Sequence, residues 1–347
     1  MSKNNFLEIA SEIAERYISV HPPESHRWDW GESVLMFGLI ELYKITKKRN
    51  FLEFVKKWMD FHFEKGYKLK EVNSCSPAIS ALDLYKILNE PKYLEICKEI
   101  LSYLKNGVIK TKDGGICHIG YPGYKYTSLW VDSLFLFGIF LGRYSETTGQ
   151  KNEIDEFGKQ IKIFSNKLES KGFFLHTWGW IDVNQQPDIF WARGNAWITV
   201  ALAEYIRIRK LRNESDEFVE QLFVQHKDAI LSCQDQSTGL WWTVLNKPGE
   251  TYLETSASAL FAYGFSVGYN NGFLNESIKK SILKSIEGII SHLERDNFDR
   301  PIVTGTSMGT VPGDFNQYAK IETKNDVTYG VGSVLLLFSE ASKITFE

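Results

Sequence analysis

No stretch of this chain strings together the roughly eighteen apolar residues that a membrane-spanning helix needs, so no membrane partner is expected. The N-terminal MSKNNFLEIASEIAERYI lacks the apolar core and small-residue cleavage site of a secretory signal. It reads as an amphipathic helix, and a cytoplasmic location is the expectation. Cysteine is scarce: Cys75, Cys97, Cys117 and Cys233 lie far apart and form no C-x-x-C pair. That argues against a disulfide framework or a metal centre and fits reduced thiols in a cytosolic chain; no cofactor is expected either. Neither sign of charge dominates. With 40 basic against 43 acidic residues the net charge is −3, which leaves no case for a nucleic-acid or acidic-membrane surface. Period-two alternation is nearly missing too. Only GICHIGY and LWWTVL show it, and small hairpins at loops are expected there.

What the chain has instead is apolar and aromatic residues. Apolar residues make up 43%, enough for a large core, and aromatics 14%, with 10 Trp, 16 Tyr and 23 Phe. Trp and Tyr rings stack on sugars but also fill cores, so this count alone favours carbohydrate binding only slightly. The ordering of these residues is more informative. Six segments open with polar or aromatic residues and continue as apolar helices: Trp30–Thr46, Asn73–Leu88, Trp130–Thr147, Trp191–Ile208, Leu253–Gly268 and Asp326–Lys343. Each is hydrophobic nearly all round, as a buried helix is. Six further helices, near 5–19, 50–64, 91–106, 151–169, 215–233 and 275–294, carry one apolar stripe and many charges. Repeated helix pairs must stack to bury a shared core. Inner helices this apolar close more favourably into a ring than into an open solenoid, so the expected fold is an all-α (α/α)6 barrel. Residues 1–347 are expected to form it as a single catalytic domain.

If the inner helices run parallel, their N-termini meet at one mouth. Those ends carry Trp30 and Glu32, Asn73 and Ser74, Trp130 and Asp132, Trp191, Arg193 and Asn195, Glu254, Thr255 and Ser256, and Asp326. The opposite ends read as ordinary sequence. Helix capping is the expected role of Asp326 and Thr255. It does not account for Arg193 between Trp191 and Trp197, nor for Glu32 one turn inside an apolar helix; buried charges need partners or a function. The loops ahead of the third, fourth and fifth inner helices add His118, Tyr121, Tyr124, Lys125 and Tyr126, then His176, Trp178, Trp180 and Asp188, then Trp241 and Trp242. A tryptophan-lined pocket with Arg193, Lys125 and His176 suits an anionic sugar such as a uronate.

At WGESVLMFGL, LWVDSLFLFG, HTWGW, FWARGNAW, YLETSASALFAYG and YGVGSVLLLFSE the sequence resembles the unsaturated glucuronyl and rhamnogalacturonyl hydrolases, glycoside hydrolase families 88 and 105, the second more closely. The resemblance runs from about Trp28 to Ser342. It implies an (α/α)6 barrel acting in the cytoplasm on oligosaccharides with a terminal unsaturated uronic acid. It further implies that Asp132 protonates C4 of the C4=C5 bond and that water adds at C5, unlike the two-carboxylate displacement of most glycosidases. Asp132 would then have to keep its proton near neutral pH, which apolar walls such as Trp130 are expected to favour. By the same resemblance Arg193 and His176 bind the uronate or flank the double bond, and Trp191 and Trp197 frame the sugar; Trp30 and Tyr126, at the same mouth, are expected to bind it as well. Family members commonly carry an Asp-His pair where this chain reads VNSCSP. Asn73 stands in the place of that second acid, and it can hydrogen-bond but not donate a proton as an acid does. Either Asp132 works alone, or the substrate differs, or activity has been lost. Two rival enzymes remain, an inverting glycosidase pairing Glu32 or Glu254 with Asp132, and an epimerase using His118 and His176. A helical scaffold leaves the buried polar ring unexplained.

Overall fold

The computed structural model describes residues 3–120, 127–180 and 188–346. Its helices are α1 (Lys3–Val20), α2 (Trp30–Thr46), α3 (Arg49–Lys65), α4 (Ala78–Leu88), α5 (Pro91–Asn106), α6 (Ile139–Thr148), α7 (Asn152–Leu168), α8 (Ala192–Leu211), α9 (Glu217–Ser232), α10 (Thr255–Asn270), α11 (Lys279–Ser291), a short α12 (Phe315–Ala319) and α13 (Thr328–Ala341). The apolar segments become α2, α4, α6, α8, α10 and α13. Their burial follows from their composition: α10 is buried without interruption from Thr255 to Gly268, and α13 from Tyr329 to Ala341. The striped segments become the outer helices. In α3, for example, Phe51, Phe54, Val55, Trp58, Met59 and His62 face inward at helical spacing.

Each inner helix packs on the next, and α13 packs back on α2, so the ring closes. Closure depends on small residues at the seam. A methyl group on Gly38 of α2 would come within 2.6 Å of the Gly332 carbonyl oxygen on α13. Strands play almost no part. The described residues hold four two-residue pairs, and the segments expected as hairpins supply only isolated bridges, Lys110 with Ile116, Trp191 with Val244 and Trp242 with Leu253. No helix among the described residues is long and apolar enough to cross a membrane.

Two inner helices start later than their apolar pattern does, and both delays shape the site. Val72–Cys75 is a tight 3-10 turn followed by Pro77, and α4 begins only at Ala78. Trp130 lies in a strand pair, Leu129–Trp130 against Thr177–Trp178, before a π-helical stretch, Leu134–Gly138, leads into α6. Wide turns of this kind concentrate at functional sites.

The opposite ends of the inner helices are not ordinary. Five of them carry an acid and a base three residues apart: Glu41 and Lys44, Asp83 and Lys86, Arg143 and Glu146, Glu204 and Arg207, Glu340 and Lys343. All ten line one cavity of about 250 Å³ at the foot of the barrel. Arg143 is the hub, 3.0 Å from Glu41 and 3.4 Å from both Asp83 and Glu204. Basic groups are favoured there because six helix C-termini converge and point their negative ends inward.

Candidate active site

The other end of the barrel holds a cavity of about 270 Å³ lined by Trp30, Glu71, Asn73, His118, Ile119, Trp130, Asp132, Trp191, Arg193, Gly309, Thr310 and Val311. Residues from the fronts of α2 and α8 and from the approaches to α4 and α6 meet here, while the far ends of the same helices meet at the foot. The inner helices therefore run parallel.

The strand pair ahead of α6 places the central carboxyl. Val131 N–H donates to the His176 carbonyl at 3.1 Å, which sets Asp132 beside that imidazole. Asp132 Oδ2 and His176 Nε2 stand 3.5 Å apart, too far to satisfy either atom. His176 Nδ1 lies 2.9 Å from the Tyr318 hydroxyl on α12, whose oxygen also accepts the Gly313 N–H at 3.0 Å. The phenol's own hydrogen is then free for Nδ1, leaving the proton of neutral His176 on Nε2, facing Asp132. His176 is clamped between aromatic rings, stacked on Trp191 at 4.2 Å and edge-on to Trp130 at 5.5 Å. His118 stacks on Trp130 at 4.6 Å and bonds Ser133 Oγ through Nδ1 at 3.0 Å.

The electrostatics overturn one expectation. Burial raises the Asp132 carboxyl, but the contact with His176 and the electrostatic pull of the His176 and His118 imidazoles outweigh it, and the net direction is below the ordinary value. Apolar walls do not by themselves keep Asp132 protonated, because imidazoles stand among them. Burial also lowers His176, against the pull of Asp132, and takes His118 down to about 4.

Arg193 is 1% exposed and heavily engaged. Its Nη1 donates to the Ser307 carbonyl at 3.1 Å and to Ser307 Oγ; its Nη2 donates to the Met308 carbonyl at 3.1 Å and to Thr310 Oγ1 at 3.0 Å. Glu254 Oε1 lies 3.5 Å from Nη1 and accepts Ser307 N–H at 2.9 Å. Together the pair holds the strap 307–311 against the cavity. Nε–H of Arg193 is left over. It is one of five buried polar atoms around this cavity without a partner among the described residues, with Trp130 Nε1, Trp191 Nε1, Asp132 Oδ2 and His176 Nε2. One such atom costs about 1–3 kcal/mol. Five around one cavity mark a place built to receive a polar ligand.

The remaining residues divide clearly. Trp30 lines the cavity and stacks on Tyr329 at 4.5 Å. Asn73 lines it too, and its Nδ2 donates to Glu71 Oε1 at 3.2 Å. Trp197, one turn deeper than Arg193, packs edge-on to Trp30 at 6.2 Å and against Phe135 at 4.4 Å, behind the wall. Tyr126 lies outside the described residues, as do Tyr121, Tyr124 and Lys125. Trp241 is core, and Trp178 is a surface ring under Lys167. Asn195 braces the backbone of Phe174. The capping assignments change. Glu254, not Thr255, caps α10 through Ala257 N–H. Asp326 precedes the cap position of α13 with a left-handed backbone, and it pairs with Arg16 of α1.

The sequence profile of glycosyl hydrolase family 88 matches residues 8–345. This chain belongs to that family. Among relatives of the family 88 protein is the unsaturated rhamnogalacturonyl hydrolase YesR of Bacillus subtilis, 26% identical over 236 residues, which are 67% of this chain and 68% of that one. A solved structure from Salmonella enterica, described as a possible member of family GH105, superposes with a TM-score of 0.87 at 22% identity and covers 99% of this chain and 95% of its own. The unsaturated glucuronyl hydrolase of Streptococcus agalactiae gives a TM-score of 0.76 at 16% identity, with 98% and 92% covered. These superpositions show the barrel fold.

Proposed function

We propose that the protein hydrolyses lyase-generated oligosaccharides, releasing a terminal 4,5-unsaturated uronic acid, with Asp132 as general acid and base. The observation that carries this is the group of five unpartnered polar atoms around a tryptophan-walled carboxyl. A relative named for the same activity supports it. Asp132 gives its proton to C4, the electron pair of the double bond takes it, and water forms the new bond at C5 while losing one proton to the Asp132 carboxylate. The hemiketal opens and the aglycone leaves. In the free site Asp132 is held low, so substrate must load it: a bound uronate brings a second negative charge and expels water, and both raise a carboxyl. Arg193 Nε–H and the two indole N–H groups are donors for that uronate.

The rival pairings weaken here. Glu254 is 0% exposed, with its oxygens bonded to Ala257, Ser256 and Ser307, and Glu32 is not part of the cavity wall. Residues 1–347 act as one catalytic domain in this proposal. Four unpaired cysteines, three of them buried, fit the reducing cytoplasm. Oligosaccharides from several polysaccharide lyases, each beside its saturated counterpart, provide the test. The unsaturated member should lose its ultraviolet absorbance and the saturated one should survive; cleavage of both alike would reject the proposal.

Arg193→Lys keeps the charge but loses the fork. The Michaelis constant should rise roughly tenfold or more, since a hydrogen bond to a charged group is worth about 1.5–3 kcal/mol. An unchanged constant, with the melting temperature also unchanged, would mean that neither Nε–H nor the strap touches the sugar.

A further inference from the structure

The cavity contains a second carboxyl. Glu71 lines it with Asn73 and Asp132, although it belongs to none of the barrel helices and sits just ahead of the Val72–Cys75 turn. That turn is firmly fixed. Trp28 Nε1 donates to the Ser74 carbonyl at 3.0 Å, Ser74 Oγ donates to the Glu71 carbonyl at 2.6 Å, and Val72 N–H donates to the His118 carbonyl at 3.2 Å. Asn73 Nδ2 donates one N–H to the Glu71 carboxyl, so the amide keeps its oxygen and its other N–H for a hydroxyl or a water. The position that lacks an acid, Asn73, is thus hydrogen-bonded to one.

We propose that Glu71 is the second proton-exchanging group of the site, with Asn73 as its orienting partner, and that it takes the proton of the water that adds to the sugar. This rests on the hydration reading above and moves the base half of the role given there to Asp132 onto Glu71. Asp132 passes its proton to C4. The water oxygen bonds to C5, and one water proton moves to the Glu71 carboxylate. Glu71 releases that proton to solvent, and Asp132 is recharged from solvent, so the step balances without a co-reactant. The groups facing Glu71 are Asp29 ahead of α2, Lys70 and Cys75 on its own segment, Tyr103 of α5, and His118, Asp132 and Arg193 around the cavity. Burial lifts the Glu71 carboxyl above its ordinary value; the Asn73 bond and Lys70 oppose this and Asp29 adds to it. A base nearer the working pH is a better base. Since the carboxylate is the active form, activity should fall as pH drops through this raised value, higher than an ordinary glutamate would set it.

Glu71→Gln keeps the shape and leaves Asn73 an acceptor. Turnover should fall about a hundredfold or more, as loss of a general base does, with the Michaelis constant little changed. The acid limb of the pH profile should disappear, and added formate should restore turnover to Glu71→Ala. A Gln variant with normal turnover and an unaltered acid limb would overturn the assignment. If the wild-type protein consumes no double bond on any oligosaccharide, the hydrolase reading fails on its own. Glu71 is then decided by carboxyl carbon NMR of the intact protein. A carboxyl titrating above the ordinary value of about 4.3, absent from Glu71→Gln and displaced in Asn73→Ala, upholds its coupling to the site; a Glu71 signal titrating at the ordinary value rejects it.

Discussion

Asp132→Asn should lose about two to four powers of ten in turnover while still binding ligand, because the amide keeps the shape and cannot supply a proton. A second readout separates chemistry from structure. In the free site Asp132 lies below its ordinary value beside His176 and His118. A bound uronate raises it, so the wild-type protein should take up a proton on binding, at pH values between the free and the bound pKa. Calorimetry in buffers of different ionisation heat reads that proton directly. The Asn variant should bind without it. An Asn variant with near-normal turnover and unchanged proton uptake would reduce Asp132 to a holder of His176.

Arg143→Met should give the largest loss of stability. Arg143 is nine-tenths buried, packs over the Phe37 ring at 4.4 Å, and bridges Glu41, Asp83 and Glu204. Removing one partner of a buried ionic network costs about 3–5 kcal/mol, because the charges left behind stay desolvated. The lower end is expected, since Lys44 still serves Asp83 and Arg207 still serves Glu204. The network also sets the acid limit. Burial raises Glu204, but Arg207 and Arg143 outweigh it and hold the carboxyl down to about 2, and Glu41 is likewise lowered. Carboxyls that protonate less readily folded than unfolded stabilise fully above their unfolded pKa and lose that contribution as pH falls toward the folded one. Wild-type stability should therefore decline from about pH 4.3 toward pH 2. The Met variant should show a smaller decline from a lower start. Urea unfolding across that range checks both, and a Met variant as stable as wild type would mean the foot network is neutral.

The barrel was legible because its period is local: α2 spans the very residues whose apolar run marks it, Trp30–Thr46. Trp130, Asp132, Trp191 and Arg193 were legible for the same reason, being polar or aromatic residues at the fronts of apolar helices. The rest of the site is assembled over long range. Tyr318 meets His176 across 142 residues, and the strap reaches Arg193 across 114 to 117, so no spacing within either segment announces them. Glu71 carries no such signal because it stands two residues before the expected acid position, ahead of a turn and not on a helix. Trp197 shares the motif of Arg193, but one more helical turn carries it behind Trp30. The foot network does carry a signal, an acid and a base three residues apart in five helices, but such pairs also mark solvated faces, and only the structure brings them round one cavity.

Counting double bonds lost against reducing ends released, in one reaction on one lyase product, tests the central claim most directly. Addition of water across C4=C5 must consume one double bond for every aglycone freed, so a ratio of one is predicted. Displacement at the anomeric carbon leaves the double bond in the released sugar. Reducing ends appearing while the ultraviolet band stays constant would contradict the account.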